Sequence, residues 1–338
     1  MSPFLLVLII GLALVLAYLN GFHDASNAIS TAITTRSLPE STALTMAALL
    51  NLLGALLGMG AIAIATQWAL RLLGMAPLAQ QAAARPDVLG VALVAILLTT
   101  IFWGVLTWWI GMPSSTWHAF YAATLGASLA IGAAAAWGRW GTILAVSVVG
   151  PVLSAVLAFL IMQVIDRISR SERVRPGHLR FAQTVSAGAV ATGHGLNDAR
   201  LPLAVVVVAT AAAGLSMSTA VSMMLPVAVA VAAGTLMGGH RIIRTIGRRL
   251  TDLSAAQGLA AETSAATTMS LGLLGLEVPV SSSHALASSV VGAGAAMGPR
   301  QVRWPVARTM LLIWLLTPVV CAVVAAAMTG VMLEVAEG

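Results

Sequence analysis

Two short motifs place a carboxylate beside an amide inside long apolar stretches. Asp24 and Asn27 belong to the sequence NGFHDASNA, and Asn197 and Asp198 belong to GHGLNDA. A carboxylate in a membrane segment is costly unless it is paired, bound to a cation or in contact with water. Carboxylate and amide oxygens without thiols suit a small hard cation such as Na⁺. The motifs therefore predict a cation site, and the simpler alternative is that each Asp caps a broken helix.

Two other segments begin with proline and continue with a run of hydroxyl residues. They are PSSTWHA at 113–119 and PVSSSHA at 279–285. This order is typical of a helix start, whose free N–H groups and positive dipole end favour an anion. At mid-depth in a membrane, such a start is tolerated only where it lines a cavity. We therefore expect re-entrant helical hairpins at 113–131 and 279–298, with an anion at their tips.

Histidines are concentrated in the same four motifs. Of the six in the chain, these four are His23, His118, His194 and His284. A proton relay is one use for them, and a hydrogen bond that holds a hairpin in place is the simpler one. His118 and His284 are candidate accessory residues of the anion site.

The composition requires membrane-spanning helices to position these motifs. Of 338 residues, 59% are hydrophobic and 8% are charged, and the mean hydropathy is +0.97. So little charge cannot cover the surface of a water-soluble domain, which carries roughly 25%. Ala, Leu, Val and Gly dominate the apolar stretches, which favours helices over barrel strands. We expect an all-α polytopic protein of the cell membrane, in contact with the lipid bilayer through about ten segments, two of them re-entrant.

The basic residues indicate orientation. All 17 are arginines, and the absence of Lys excludes a Walker A phosphate loop. They cluster in short loops, as the positive-inside rule describes, so no nucleic-acid partner is expected. The loops at 166–180 and 241–249 bracket an apolar region long enough for two spans and should therefore lie on one side, the cytoplasm.

The two halves of the chain repeat each other. In each half the Asp motif comes first and the hydroxyl-rich motif follows at a similar distance, and glycines align as well. Weak internal repeats are frequent in transporters. We predict one repeat over 1–165, with its motif at 20–28, and a second over 181–338, with its motif at 193–199.

On these four motifs the chain resembles the inorganic phosphate transporter (PiT) family of cation-coupled symporters. The resemblance lies in the family's duplicated GxND-type signature and its two PxSTTH-type hairpin tips. It implies an inverted repeat that holds phosphate between the tips and transports Na⁺ or H⁺ with it, and it suggests a homodimer. Carried over to this chain, the phosphate contacts would be Ser115, Thr116, Ser281, Ser282, Ser283, Asp24 and Asp198, and the Na⁺ contacts would be Asp24, Asn27, Asn197 and Asp198.

Three residues depart from the family pattern. Leu201 stands where a second Asn is frequent, Trp117 replaces a hydroxyl residue in the first tip, and Arg200 occupies a place expected to be small or polar. Loss of an amide ligand at Leu201 would remove one of two symmetric cation sites. The choice between Na⁺ and H⁺ therefore stays open, and Arg200 is an accessory candidate.

The expected function is import of inorganic phosphate by alternating access, coupled to Na⁺ or H⁺, without enzyme activity or a cofactor. Symport of sulfate or another tetrahedral oxyanion by the same fold is the main alternative. A carboxylate near the anion favours phosphate, because protonated phosphate can donate a hydrogen bond and sulfate cannot. An anion channel or a membrane receptor is a different class, but the chain offers neither a ring of pore-lining groups from several subunits nor a loop long enough for an output domain.

Overall fold

The computed structural model describes residues 1–60, 66–133, 137–170, 175–275 and 280–337. These residues form fifteen α-helices. The first half contains α1 (Pro3–Thr34), α2 (Glu40–Met59), α3 (Thr66–Leu73), α4 (Ala76–Gln81), α5 (Pro86–Trp109), α6 (Thr116–Ala130) and α7 (Trp137–Ser169). The second contains α8 (Pro176–Asp198), α9 (Arg200–Ala212), α10 (Met217–Ser222), α11 (Met224–Met237), α12 (His240–Arg244), α13 (Ala255–Gly275), α14 (Ser282–Ala296) and α15 (Trp304–Glu337). A π-helical turn at Thr245–Arg249 continues α12.

Seven helical stretches in the described residues are long and apolar enough to cross a membrane. They are Pro3–Thr34, Glu40–Met59, Pro86–Trp109, Trp137–Ser169, Pro176–Ala212, Met217–Met237 and Trp304–Ala336. The all-α polytopic fold is therefore confirmed, and two of the seven stretches lie between the basic loops, as predicted. The other predicted segments correspond to α6, α13 and α14. Helices α6 and α14 have 15 residues each, about 22 Å of helix, which is shorter than the roughly 30 Å hydrocarbon core.

The hairpin boundaries differ from the prediction. Each of the segments 113–131 and 279–298 contains one helix, α6 or α14, rather than a complete hairpin. The other helix of each pair is the preceding one, since α5 packs against α6 and α13 packs against α14. The reason is local: the hydroxyl run caps the start of the second helix, so it lies between the two helices of the pair. Pro279 lies outside the described residues, and re-entry into the membrane stays a prediction.

The basic segment at 166–180 is mostly helical where it is described. Helix α7 extends to Ser169 and α8 begins at Pro176, while residues 171–174 lie outside the described part. The two repeats on either side stay a prediction.

Glycines that align in the two halves make equivalent close contacts between helices. A Cβ at Gly21 would lie 1.9 Å from the Val231 carbonyl oxygen, and one at Gly195 would lie 2.0 Å from the Asn51 oxygen. A Cβ at Gly126 or at Gly292 would likewise lie 2.0 Å from a carbonyl oxygen of another helix, α15 and α7 respectively. Only glycine permits such approach between membrane helices. These contacts fix both Asp motifs against neighbouring helices.

The second Asp motif lies at a helix break. Helix α8 ends at Asp198 and α9 begins at Arg200, with Pro202 in its first turn. Proline lacks an N–H group and its ring clashes with the carbonyl four residues before it, which here is that of Asp198. That carbonyl instead accepts a hydrogen bond from Asn20 Nδ2 at 3.2 Å. The break therefore connects the second motif directly to the first.

Candidate functional site

Asp24 lies against the start of α14. It is 6% exposed, and Ser283 Oγ donates to its Oδ1 at 3.0 Å. Ser282 Oγ lies 3.4 Å from its Oδ2. Asn27 Nδ2 donates to Asp24 Oδ1 at 2.7 Å and to Ser283 Oγ at 2.8 Å. The structure thus brings four predicted site residues from distant parts of the chain into one buried group.

The carbonyl oxygen of the Asn27 side chain is left for another partner. Because its amide nitrogen donates to a carboxylate, the opposite atom, Oδ1, is the acceptor. Asn27 is fully buried, and Oδ1 accepts no hydrogen bond from any described residue. A buried acceptor of this kind is costly unless a donor or a cation satisfies it.

The two Asp motifs meet at their acidic side chains. Asp24, His194 and Asp198 are all buried, and one ligand atom from each lies within 4.8 Å of the others. His194 Nδ1 is 3.6 Å from Asp198 Oδ2, which is beyond hydrogen-bonding distance. Two carboxylates this close repel each other strongly in a low-dielectric interior. The group is therefore suited to hold a cation or a proton, and it includes a histidine that the sequence reasoning left without a place in the site.

A polar chain connects Asp24 to the first hairpin motif. His23 Nδ1 lies 3.3 Å from Asp24 Oδ1, and its Nε2 lies 3.4 Å from Thr107 Oγ1. Thr107 Oγ1 in turn lies 2.8 Å from Ser114 Oγ, just before α6. Asp24 therefore contacts the second hairpin motif directly and the first one through two intermediate side chains.

The N-terminal ends of α6 and α14 are capped in the same way. Ser115 Oγ accepts from the His118 N–H, and Ser281 Oγ accepts from the His284 N–H, each at 3.3 Å. These two serines were predicted to contact the anion, and here they satisfy helix N–H groups. Thr116, also predicted, is partly buried at the first residue of α6. Neither Ser115 nor Thr116 donates a side-chain hydrogen bond to the two aspartates in the described part of the chain.

His118 and His284 connect the two hairpin tips to each other. Their ring centroids are 4.8 Å apart, and His284 also stacks on Trp314 at 4.0 Å. Trp314 Nε1 donates to the Pro113 carbonyl oxygen at 3.0 Å, and His118 Nε2 lies 2.6 Å from Ser147 Oγ. This arrangement favours the simpler interpretation, in which the histidines position the tips.

The remaining predicted residues lie around the second motif. Asn197 is 7% exposed beside Asp198, and Arg200 is partly buried at the first residue of α9. Leu201, which stands where a second Asn is frequent, is fully buried among apolar side chains. Trp117 packs on Tyr121 with ring centroids 5.7 Å apart.

Glu262 is a buried carboxylate that the motif comparison did not find. It is fully buried on α13, where it accepts short hydrogen bonds from Thr31 and Ser186 and a third from Gln183 Nε2 at 3.3 Å. Its position inside an apolar stretch was the available signal. It was missed because the comparison selected residues that recur in both halves.

Buried carboxylates, capped helix starts and a break in a membrane segment define a transporter of small ions rather than a channel with an open pore. The model of the phosphate transporter family matches residues 20–178 and 169–325. A probable low-affinity inorganic phosphate transporter of Bacillus subtilis (strain 168) is 30% identical over 323 residues, covering 93% of this chain and 92% of that protein. One of the same description from Rhizobium meliloti (strain 1021) is 32% identical over 329 residues, or 95% of both chains.

A solved structure described as the sodium-dependent phosphate transporter has the same fold. It superposes with a TM-score of 0.83 over 98% of this chain and 99% of that one, at 20% identity. The chain belongs to the phosphate transporter family, the PiT family that its motifs resemble. It is a multi-pass transporter of the plasma membrane and not an enzyme.

Proposed function

We propose that the protein imports inorganic phosphate by alternating access and that a cation, Na⁺ or H⁺, enters with it. The observation that carries this proposal is the double role of Asp24. The same buried carboxylate accepts a hydrogen bond from Ser283 at the start of α14 and belongs to the acidic group with Asp198. An anion at the helix start and a cation at the acidic group would therefore share one residue.

The proposed cation position rests on the charges of two aspartates and on a side-chain oxygen that accepts no hydrogen bond in the described part of the chain. Asp24 and Asp198 repel each other, and Asn27 Oδ1 is a buried acceptor without a donor among the described residues. A Na⁺ ion would take oxygen ligands from these three side chains, with Asn197 beside them. A proton shared between the two carboxylates would relieve the same repulsion. The solved structure with the same fold is described as a sodium-dependent transporter, which favours Na⁺.

The phosphate position rests on the helix starts. Ser282 and Ser283 begin α14 beside Asp24. Their hydroxyls donate to Asp24, and the free N–H groups of this helix start are the donors that an anion would use. Ser281, Ser115 and Thr116 would complete the site from the two caps. Alternating access would then bring α6 and α14 and their bound phosphate to face each side in turn.

Coupling follows from charge compensation. Phosphate brings negative charge toward Asp24, which is unfavourable while both aspartates are ionised and unpaired. A cation at the acidic group offsets that repulsion, so each ligand strengthens binding of the other by the same factor. The leading alternative substrate is sulfate, which lacks the proton that phosphate can donate to Asp24.

The test is uptake of radiolabelled phosphate and of radiolabelled sulfate into proteoliposomes, with Na⁺ and H⁺ gradients imposed separately. We expect phosphate to accumulate under one of the two gradients and sulfate to accumulate under neither. Accumulation of sulfate alone would replace the substrate. Phosphate flux that only equilibrates, whichever gradient is applied, would rule out coupled transport.

A further inference from the structure

A basic cavity lies beside the site described above and has no part in it. Its volume is about 350 Å³. Its walls include Trp109 and Ile110 at the end of α5, and His240, Arg241, Arg244 and Arg249 on α12 and the turn after it. Three guanidinium groups thus converge on one cavity in a chain with few charges.

Most of this positive charge is not balanced by the protein. His240 Nε2 lies 2.8 Å from Glu40 Oε1, which is an acidic group at the edge of the cavity. Arg241 donates to the Trp109 carbonyl oxygen at 2.9 Å, and its guanidinium lies 5.3 Å from the centre of the Trp108 ring. Arg244 and Arg249 are exposed, and neither is paired with a carboxylate in the described part of the chain. The cavity is therefore a place for an anion.

The depth of the cavity is given by the contacts of this segment with α1. Gly247 packs beside Ser30 and Thr34 at the end of α1, whereas Gly239 packs beside the carbonyl oxygens of Phe22 and His23 further in. The basic segment thus runs from the end of a membrane helix toward its middle. Arginine at such depth needs an anionic partner or a path to the headgroup region.

One wall of the cavity is apolar and open. Trp109 is 62% exposed and Ile110 is 42% exposed, at the point where the apolar helix α5 ends. A free phosphate ion would gain nothing from these side chains. A phospholipid would place its phosphate on the arginines and its glycerol and first methylenes on the apolar wall.

We propose that this cavity binds the headgroup phosphate of an anionic phospholipid, with Arg244 and Arg249 as its main contacts and Arg241 held in place by α5. Free phosphate offers the same chemistry to the arginines but not to Trp109. The inference concerns the cavity alone and does not depend on the proposed transport cycle.

The experiment measures binding of fluorescent phosphatidylglycerol and phosphatidylcholine to the purified full chain in detergent. We expect saturable binding of phosphatidylglycerol at least tenfold tighter than that of phosphatidylcholine, and little effect of millimolar inorganic phosphate. Arg244→Gln/Arg249→Gln should weaken phosphatidylglycerol binding about 30-fold, since each basic residue near an anionic lipid surface contributes about a factor of five. The matched control, Arg300→Gln/Arg308→Gln, removes two exposed arginines elsewhere and should change binding less than twofold.

Equal binding of the two lipids by the unmodified protein would overturn the proposal, whatever the variants do. So would an equal loss in the control variant, which would indicate a general surface-charge effect. Competition by millimolar phosphate that disappears in Arg244→Gln/Arg249→Gln would assign the cavity to the free ion instead.

Discussion

Replacing Asp198 by Asn tests whether the acidic group binds the coupling cation. The change keeps the shape of the side chain and removes one negative charge. Ligand atoms of Asp24 and Asp198 lie within 4.8 Å of each other, so a cation bound between them lies at least that close to each. At an effective dielectric constant of about 20, a unit charge pair at this distance interacts by about 3.5 kcal/mol.

Loss of that interaction corresponds to about 300-fold weaker cation binding, because 1.4 kcal/mol is a factor of ten. The half-saturating Na⁺ or H⁺ concentration for phosphate uptake into proteoliposomes should rise by about this factor. It should rise less if the aspartates share a proton before the cation binds, since the cation must then displace it. Apparent phosphate affinity should fall at low cation concentration and recover at high concentration, as reciprocal linkage requires.

The matched control is Asp252→Asn, which makes the same chemical change at a side chain that is 77% exposed and paired with Arg303. It should leave the cation dependence within twofold of the unmodified protein. If Asp198→Asn also changes the half-saturating cation concentration less than threefold while uptake stays normal, the acidic group does not bind the coupling ion. Uptake that is lost at every cation concentration in a correctly folded variant would instead assign Asp198 to the conformational change.

Three other substitutions have direct expected outcomes. Ser283→Ala removes a donor to the Asp24 carboxylate and should raise the KM for phosphate uptake about tenfold or more, while Ser26→Ala, which loses only a bond to a backbone carbonyl, should not. Gly195→Ala places a Cβ 2.0 Å from the backbone oxygen of Asn51 and should lower the melting temperature by several degrees. Gly193→Ala is the control, because a Cβ there would have its nearest neighbour at 3.9 Å, and it should leave the melting temperature unchanged. Glu262→Gln should destabilise the fold by about 2 kcal/mol in a denaturation assay, because the amide replaces one of two accepting oxygens with a donor. An unchanged midpoint would show that these hydrogen bonds do not stabilise the fold.

The similarity between the two halves of the sequence was enough to select residues that the structure places together. Asp24 and Asp198 occupy aligned motifs, so their recurrence identified them, and the structure places them in one group. The Ser282–Ser283 run was recognisable because proline followed by hydroxyl residues is a frequent pattern at helix starts. Local rules of this kind do not depend on the rest of the fold.

Features that need several distant segments were not predictable. Glu262 meets donors from α1 and α8, and no acidic residue aligns with it in the first half. Each predicted hairpin segment contains one described helix, α6 or α14, because apolar periodicity does not show which neighbouring helix packs against it. The basic cavity requires the end of α5 to meet α12, which only the packing determines.

In the proposed function, Asp24 would couple the two ligands by direct contact with both binding positions. The second hairpin motif contacts this carboxylate directly through Ser282 and Ser283, whereas the first reaches it only through Thr107 and His23. In the proposed function, Asp24 would offset the charge of the cation while it accepts the hydrogen bonds of the serines at the anion site. Each ligand alone leaves a buried charge incompletely compensated, and that cost is a sufficient physical basis for transporting the two together.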